Sequence, residues 1–351
     1  SSADFLTATF FYPADDGSED VRRTPEPGSD SAAMTEPKVD TENQVPVVAS
    51  QLADLPEELT SFGAAIAGQT LFVYGGHTGS AHSYSRDEQS NRLWSLDLSD
   101  DAATWQKAST DDHLQGLALL GWNDRVIRIG GFTAVNEEGE DHNLQSQKRV
   151  AMFDPATKPW NDLAPLPEPR SSLDAAVLGD RIYVFGGWEL SGDNVETTWH
   201  KTAYSLNLSD SDATWRELAT PPFQRRANSA AAFDGKLYVI GGMQPKGGPT
   251  TRVDVYDPAT NKWSVAPSLP GEGMSGFGSS AFAVGDGLYV STMDGFIHRL
   301  AAGDEQWTTV AETDPARFFH RMIPWKRNLL MIGGANMQIG KFTEIEMVKL
   351  D

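Results

Sequence analysis

The chain has 351 residues, 39% hydrophobic and 22% charged, a balance that suits one large globular domain. Its formal net charge is −21 with no Lys/Arg run, so nucleic acid is not an expected partner. It contains no cysteine, which excludes disulfides, thiolate nucleophiles and thiolate metal sites.

Residues 1–44 are rich in Asp, Glu, Pro, Ser and Gly, with few aliphatics after Phe11 and Tyr12, and read as an acidic tail or linker. The chain starts at Ser1 rather than Met, consistent with a processed or trimmed form. Such a spacer ahead of a folded unit suits an exported bacterial protein, periplasmic or extracellular, tethered at the surface through the tail. No apolar run approaches the length of a membrane span, so no transmembrane segment is expected in this chain. Residues 45–351 read as one domain.

Within that domain a unit recurs about every fifty residues, the mark of a repeat architecture. Each unit opens with a small-residue strand, as in the stretches from Ser61, Ser172 and Ala227. Ala, Ser and Gly suit a place where several sheets crowd around an axis. A second, continuously apolar strand follows, such as Ile182 to Phe185 or Leu237 to Ile240, as expected for a strand buried on both faces. It ends in a glycine pair: Gly75-Gly76, Gly130-Gly131, Gly186-Gly187, Gly241-Gly242 and Gly333-Gly334, with the degenerate Ser291-Thr292 in unit five. After a variable loop comes a third strand (Leu93–Asp97, Val150–Asp154, Tyr204–Asn207, Val253–Asp257, Ile297–Leu300). A turn such as Asp154-Pro155 or Asp257-Pro258 leads to a fourth strand carrying Trp105, Trp160, Trp215, Trp263 or Trp307. That Trp is best read as closing the apolar layer between neighbouring sheets. The last unit stops at its third strand, Phe342–Val348, and Leu52 to Pro56 matches Leu163 to Pro167. Residues Val45–Leu55 are therefore expected to supply its outer strand and remove an open edge.

These features resemble the kelch family: an internal di-glycine, an aromatic about twenty residues later, and a Trp after a turn. Unit five departs in its glycine pair and unit six in its outer Trp. The resemblance implies an all-β, six-bladed β-propeller of four-stranded antiparallel blades, the last closed by the N-terminal strand. The blades would span 60–109, 112–168, 169–222, 223–271, 272–314, and 315–351 plus 45–57. Galactose oxidase, a kelch enzyme, uses a cysteine–tyrosine cofactor that a chain without cysteine cannot form, and no cofactor is expected here.

In such a blade order the crossings between blades and the loops after the glycine pairs share one face, where long segments lie (77–90, 132–148, 188–202, 243–251). Long loops on a rigid scaffold are where binding usually resides. The crossings on that face carry an excess of arginine: Arg170, Arg225, Arg226, Arg317 and Arg321, with His113 and Ser61 completing the ring. Guanidinium groups around a channel mouth would hold an anionic sugar or an acidic peptide. The competing reading pairs them with the protein's own acids: Asp174, Glu272, Asp314 or the loop Glu137–Asp141. Trp188, Trp199, Tyr84, Phe318 and Phe319 could stack on a ligand or pack onto the rim. His77 and His82 share a loop but lack a carboxylate partner, so no metal is expected.

The leading expectation is a non-enzymatic ligand- or protein-binding propeller using this crossing-loop face. Residues 317–334 are also similar to the last blade of bacterial sialate mutarotases, in the Arg-aromatic start and Ile323-Pro324-Trp325. That resemblance implies the alternative, an isomerase of a carboxylated sugar, although the long insertion between blades found in that family is absent. Arg317 and Arg321 would then hold the carboxylate, and His320 or Asp174 would shuttle the proton.

Overall fold

A computed structural model describes residues 36–192 and 195–351. Residues 1–35, most of the expected tail, lie outside the described residues.

Six four-stranded antiparallel sheets carry the fold. Their innermost strands, here strand a, are Gly63–Ala67, Ala118–Trp122, Asp174–Leu178, Ser229–Phe233, Ser280–Val284 and Arg321–Trp325. Strand b is the apolar run in each case, for example Arg181–Phe185 and Asn328–Ile332, and strands c and d follow outward. Strand-a small residues such as Ala64, Ala118, Ala175, Ala230 and Ala281 are buried, because neighbouring blades converge there.

The predicted closure holds. Val47–Ala49 pairs antiparallel with Glu346–Val348, so the two ends of the chain share the sixth blade. Strand c of that blade is shorter than expected, covering only Glu346–Val348 rather than 342–348. Residues 40–44, read as the end of the tail, run with Val45 along blade five. There the amides of Asp40 and Val45 donate to the carbonyls of Thr309 and Val310, each at 2.8 Å.

Outer-strand tryptophans tie blade to blade. The indole N–H groups of Trp105, Trp215, Trp263 and Trp307 donate to the carbonyls of Ala53, Ala164, Ala219 and Pro267, each 40 to 52 residues upstream. The amphipathic ring thus fills the inter-blade layer and satisfies its own donor. Trp160 differs: its indole nitrogen has no hydrogen-bond partner, and its ring packs with Tyr74, Phe153 and the Arg128 guanidinium.

After the glycine pair, blades two, three, four and six raise a short hairpin on the crossing-loop face, such as Phe132–Ala134 with Leu144–Ser146. The crossing residue pairs with its base, as Gln115 does with Phe132 and Phe318 with Ala335. Blade five has no hairpin. Thr292 to Gly295 makes a tight turn instead, closed by the amide of Thr292 on the carbonyl of Phe296.

Candidate functional site

The crossings place one residue per blade at the propeller axis, and these six take left-handed backbone: Ser61, Gly116, Ser172, Ala227, Gly278 and Phe319, with φ between 50° and 63°. Each amide donates to the carbonyl of its counterpart in the preceding blade, from Gly116 to Ser61 at 2.8 Å round to Ser61 on Phe319 at 3.3 Å. The six hydrogen bonds form a closed ring around the axis. The backbone polar groups at the channel mouth are therefore satisfied by one another. Ser61, predicted as a ligand contact, is one member of this ring.

In four blades the residue after the ring member packs on the glycine pair of the preceding blade: Leu117 on Gly75, Leu173 on Gly130, Asn228 on Gly186 and Phe62 on Gly333. A Cβ on these glycines would clash with the Leu114 or Arg170 carbonyl in the first two and with the Asn228 or Phe62 side chain in the others. His320 occupies the same position in blade six. There the preceding blade offers Ser291 in place of glycine, and His320 Nε2 hydrogen-bonds its Oγ at 2.9 Å. The degenerate glycine pair thus has a partner.

Two positions after each ring member, at the head of strand a, five blades hold Gly63, Ala118, Asp174, Ser229 and Ser280, and the sixth holds Arg321. Asp174 and Arg321 belong to blades three and six, which face each other across a six-membered ring. Arg321 spans the axis. Its Nη1 donates to Asp174 Oδ1 at 3.2 Å, its Nε to the Phe62 carbonyl and its Nη2 to the Leu117 carbonyl, both at 3.0 Å. Asp174 Oδ2 accepts from the Ala230 amide at 2.8 Å. One ion pair therefore braces blades six, one, two, three and four. The pocket at this mouth, lined by Ser61, Asn228, Ser279, His320 and Arg321, has a volume of about 60 Å³. That is room for only a few waters.

Arg170, Arg225 and Arg317 do not point at this mouth. All three are buried and perform one repeated task. Nη1 of each donates to the carbonyl of the first residue of its own blade's glycine pair, Gly186, Gly241 or Gly333, and to a carbonyl at the approach to strand c, of Thr202, Arg252 or Glu344. Their acids are Glu168, Asp254 and Glu346, none of which sequence reasoning named. Burial draws Arg170 and Arg225 down to about 10, still charged at neutral pH. The left-handed residues that follow, Ser172, Ala227 and Phe319, turn the chain, and each arginine leaves the crossing toward the sheet rather than the axis.

Arg226 is buried too, its guanidinium carbon 4.1 Å from the Trp188 ring centroid and 5.7 Å from those of Trp199 and Phe277. Trp188 and Trp199 pack edge to face at 5.2 Å, and Phe318 and Phe319 at 5.8 Å; Tyr84 packs among His77, Phe132 and His142. The loop aromatics are thus joined into the rim. His113 binds the Gln89 carbonyl through Nδ1 at 2.8 Å. Among the acids expected to neutralise the crossings, Asp174 does so for Arg321, whereas Glu137 pairs with Arg86 in the adjoining loops.

His320 does not have the ionisation expected of a proton shuttle. Burial, then the nearby Arg317 and Arg321 charges, lower its pKa to about 3, so the ring is neutral at physiological pH. Among the described residues no three His, Cys, Asp or Glu side chains gather as a metal-binding group.

A further opening on the crossing-loop face was not legible as such in the sequence. It is a cleft of about 560 Å³ between the blade-five turn and the blade-six hairpin, lined among others by Glu272, Met274, Met293, Asp294, Phe318 and Met337. The signal for it was available in the degenerate Ser291-Thr292 and the short loop after it.

Ring, glycine pairs and Trp latches together define a repeat propeller whose crossing-loop face is its varied surface. The chain belongs to the kelch-repeat family: residues 116–334 match the KLHDC2/KLHL20/DRC7 Kelch-repeats domain. Kelch-like protein 35 of Mus musculus is 26% identical over 247 residues, 70% of this chain and 35% of that protein. N-acetylneuraminate epimerase of Haemophilus influenzae (strain PittEE) is 37% identical over 143 residues, 37% of this chain and 35% of that protein. The chain spans little more than a third of the length of these curated relatives. A solved structure of YjhT superposes with a TM-score of 0.68, covering 84% of this chain and 96% of that one at 18% identity, a likeness of fold.

Proposed function

We propose that this propeller is a non-enzymatic binding module that takes a protein partner on its crossing-loop face. The observation that carries the reading is the closed axis. The Arg321–Asp174 brace leaves about 60 Å³ at the mouth, whereas ligand pockets run on the order of 300–1,000 Å³. The hairpins and long loops around that mouth offer the extended surface instead. The kelch-like relatives support a binding role by analogy of family. An anionic ligand, as an acidic peptide or a carboxylated sugar, would be met by Arg321, whose side chain keeps 22% exposure, in competition with Asp174.

A second reading, an isomerase of a carboxylated sugar, is favoured by the identity to N-acetylneuraminate epimerase. Against it stand the small axial pocket and a neutral His320. Calorimetric titration with anionic and neutral sugars and with acidic and basic peptides, combined with NMR of N-acetylneuraminate anomer exchange, separates the two. The binding reading expects peptide heat without faster exchange. It also expects hydrogen-exchange protection by the bound peptide in the loops and hairpins of the crossing-loop face, with the opposite turns unchanged. Anomer exchange that accelerates with added protein and stops in Arg321→Met would replace it with the isomerase. Protection confined to the opposite turns would remove the face assignment.

A further inference from the structure

We propose that the cleft over blade five is the docking site for a basic, apolar-flanked peptide segment of a protein partner. The inference rests on the platform reading and names the chemistry of the partner.

The cleft exists because one repeat lacks a part. Four other blades raise a hairpin after the glycine pair, and blade five replaces it with the turn Thr292 to Gly295. The space left is bounded by the crossing helix Gly273–Gly276 on one side and the blade-six hairpin on the other. At about 560 Å³ it lies within the ordinary range of ligand pockets, roughly 300–1,000 Å³.

Part of its wall is apolar and adaptable. Met274, Met293 and Met337 line it with Phe296 and Phe318. Unbranched thioether side chains repack around varied partners. Apolar surface continues onto the hairpin tip, where Met337 is 41% exposed and Ile339 is 64% exposed. Exposed large hydrophobics are few among the described residues, and two of them stand together here.

Its charge has one sign. Glu36, Glu272 and Asp294 line the cleft, and no Lys or Arg does so among the described residues. The nearest cation on the hairpin, Lys341, is turned away, its Nζ bonded to the carbonyls of His77 and Gly79 at 3.0 and 2.7 Å. Asp294 is held in place by hydroxyl donors from Ser275, at 2.7 Å, and from Thr292. A lysine or arginine between apolar neighbours would place its charge against Glu272 and Asp294 and its flanks on the methionines. A negative field over the whole chain, net −21, favours the same partner during encounter.

The test is fluorescence anisotropy at physiological salt with a labelled Lys/Arg–Leu alternating peptide, its Glu–Leu counterpart and a Lys/Arg–Ser peptide. The proposal expects the Lys/Arg–Leu peptide to bind best. Its affinity should fall about tenfold in Glu272→Gln/Asp294→Asn and in Met337→Arg, while Asp101→Asn/Asp212→Asn, an equal change of charge in exposed turns of the opposite face, leaves it unaltered. Equal loss in the opposite-face variant, or equal binding of the Lys/Arg–Ser peptide, would reduce the effect to general charge attraction and overturn the proposal. Tighter binding of the Glu–Leu peptide, lost in Arg321→Met but not in the cleft variants, would overturn the cleft and keep the platform. No binding of any of these three peptides overturns the cleft proposal, and the calorimetric panel of sugars and of acidic and basic peptides then judges the platform separately.

Discussion

Gly130 and Gly235 both adopt positive φ, at +59° and +70°, yet only Gly130 is also pressed by a neighbour. A Cβ at Gly130 would strike the carbonyl oxygen of Arg170 on the next blade, while one at Gly235 meets nothing within 4 Å. Gly235→Ala should cost about 1 kcal/mol, the strain of left-handed backbone. Gly130→Ala should cost about 3 kcal/mol, because the blades must also part. Urea unfolding of the two variants checks this, and equal losses would mean that blade contact does not set the requirement for glycine. The recurrence of the pairs was legible from sequence. That the first glycine of the pair seats the following crossing was not, since the contact joins residues about forty apart in different blades.

Blades are joined by few repeated contacts, and the tryptophan latch is the clearest. Trp215→Phe removes the indole N–H that reaches the Ala164 carbonyl at 2.7 Å, whereas Trp160→Phe removes a donor that has no partner. Both variants shed similar ring area. Trp215→Phe should therefore be the more destabilising by about 1 kcal/mol, the net worth of one hydrogen bond. Thermal unfolding would show it, and a larger loss in Trp160→Phe would sink the latch. At this scale the strands themselves were readable, because an apolar run and a small-residue run are local patterns. The direction of Arg170, Arg225 and Arg317 was not, because it depends on backbone turns that follow each arginine.

Across the molecule, His77, His200, His298 and His320 are buried, and desolvation first lowers their pKa values to about 4, 4, 4 and 3. In the unfolded chain such groups titrate near 6.5. Between those values the unfolded state binds protons that the folded state refuses. The stability present above about 6.5 is thus lost as pH falls toward 4, by about 1.4 kcal/mol per pH unit for each histidine fully in that window. Urea midpoints should fall steadily from pH 7 to 4.5. The slope should be shallower in His320→Gln, which keeps a polar group for Ser291 without the titration. A flat profile to pH 5, or an unchanged slope in that variant, would contradict this account.

The amino-acid sequence by itself determined six blades, their strand order, the closure by residues near Val47 and the face that carries the long loops, because period, apolar runs and turn residues are all encoded locally. Only the tertiary structure decided what the charges do. Arg321 and Asp174 lie 147 residues apart and meet because a ring of six blades sets the third opposite the sixth. The cleft over blade five likewise depends on what its neighbours raise around the gap. Such distances come from ring closure, which no stretch of sequence contains.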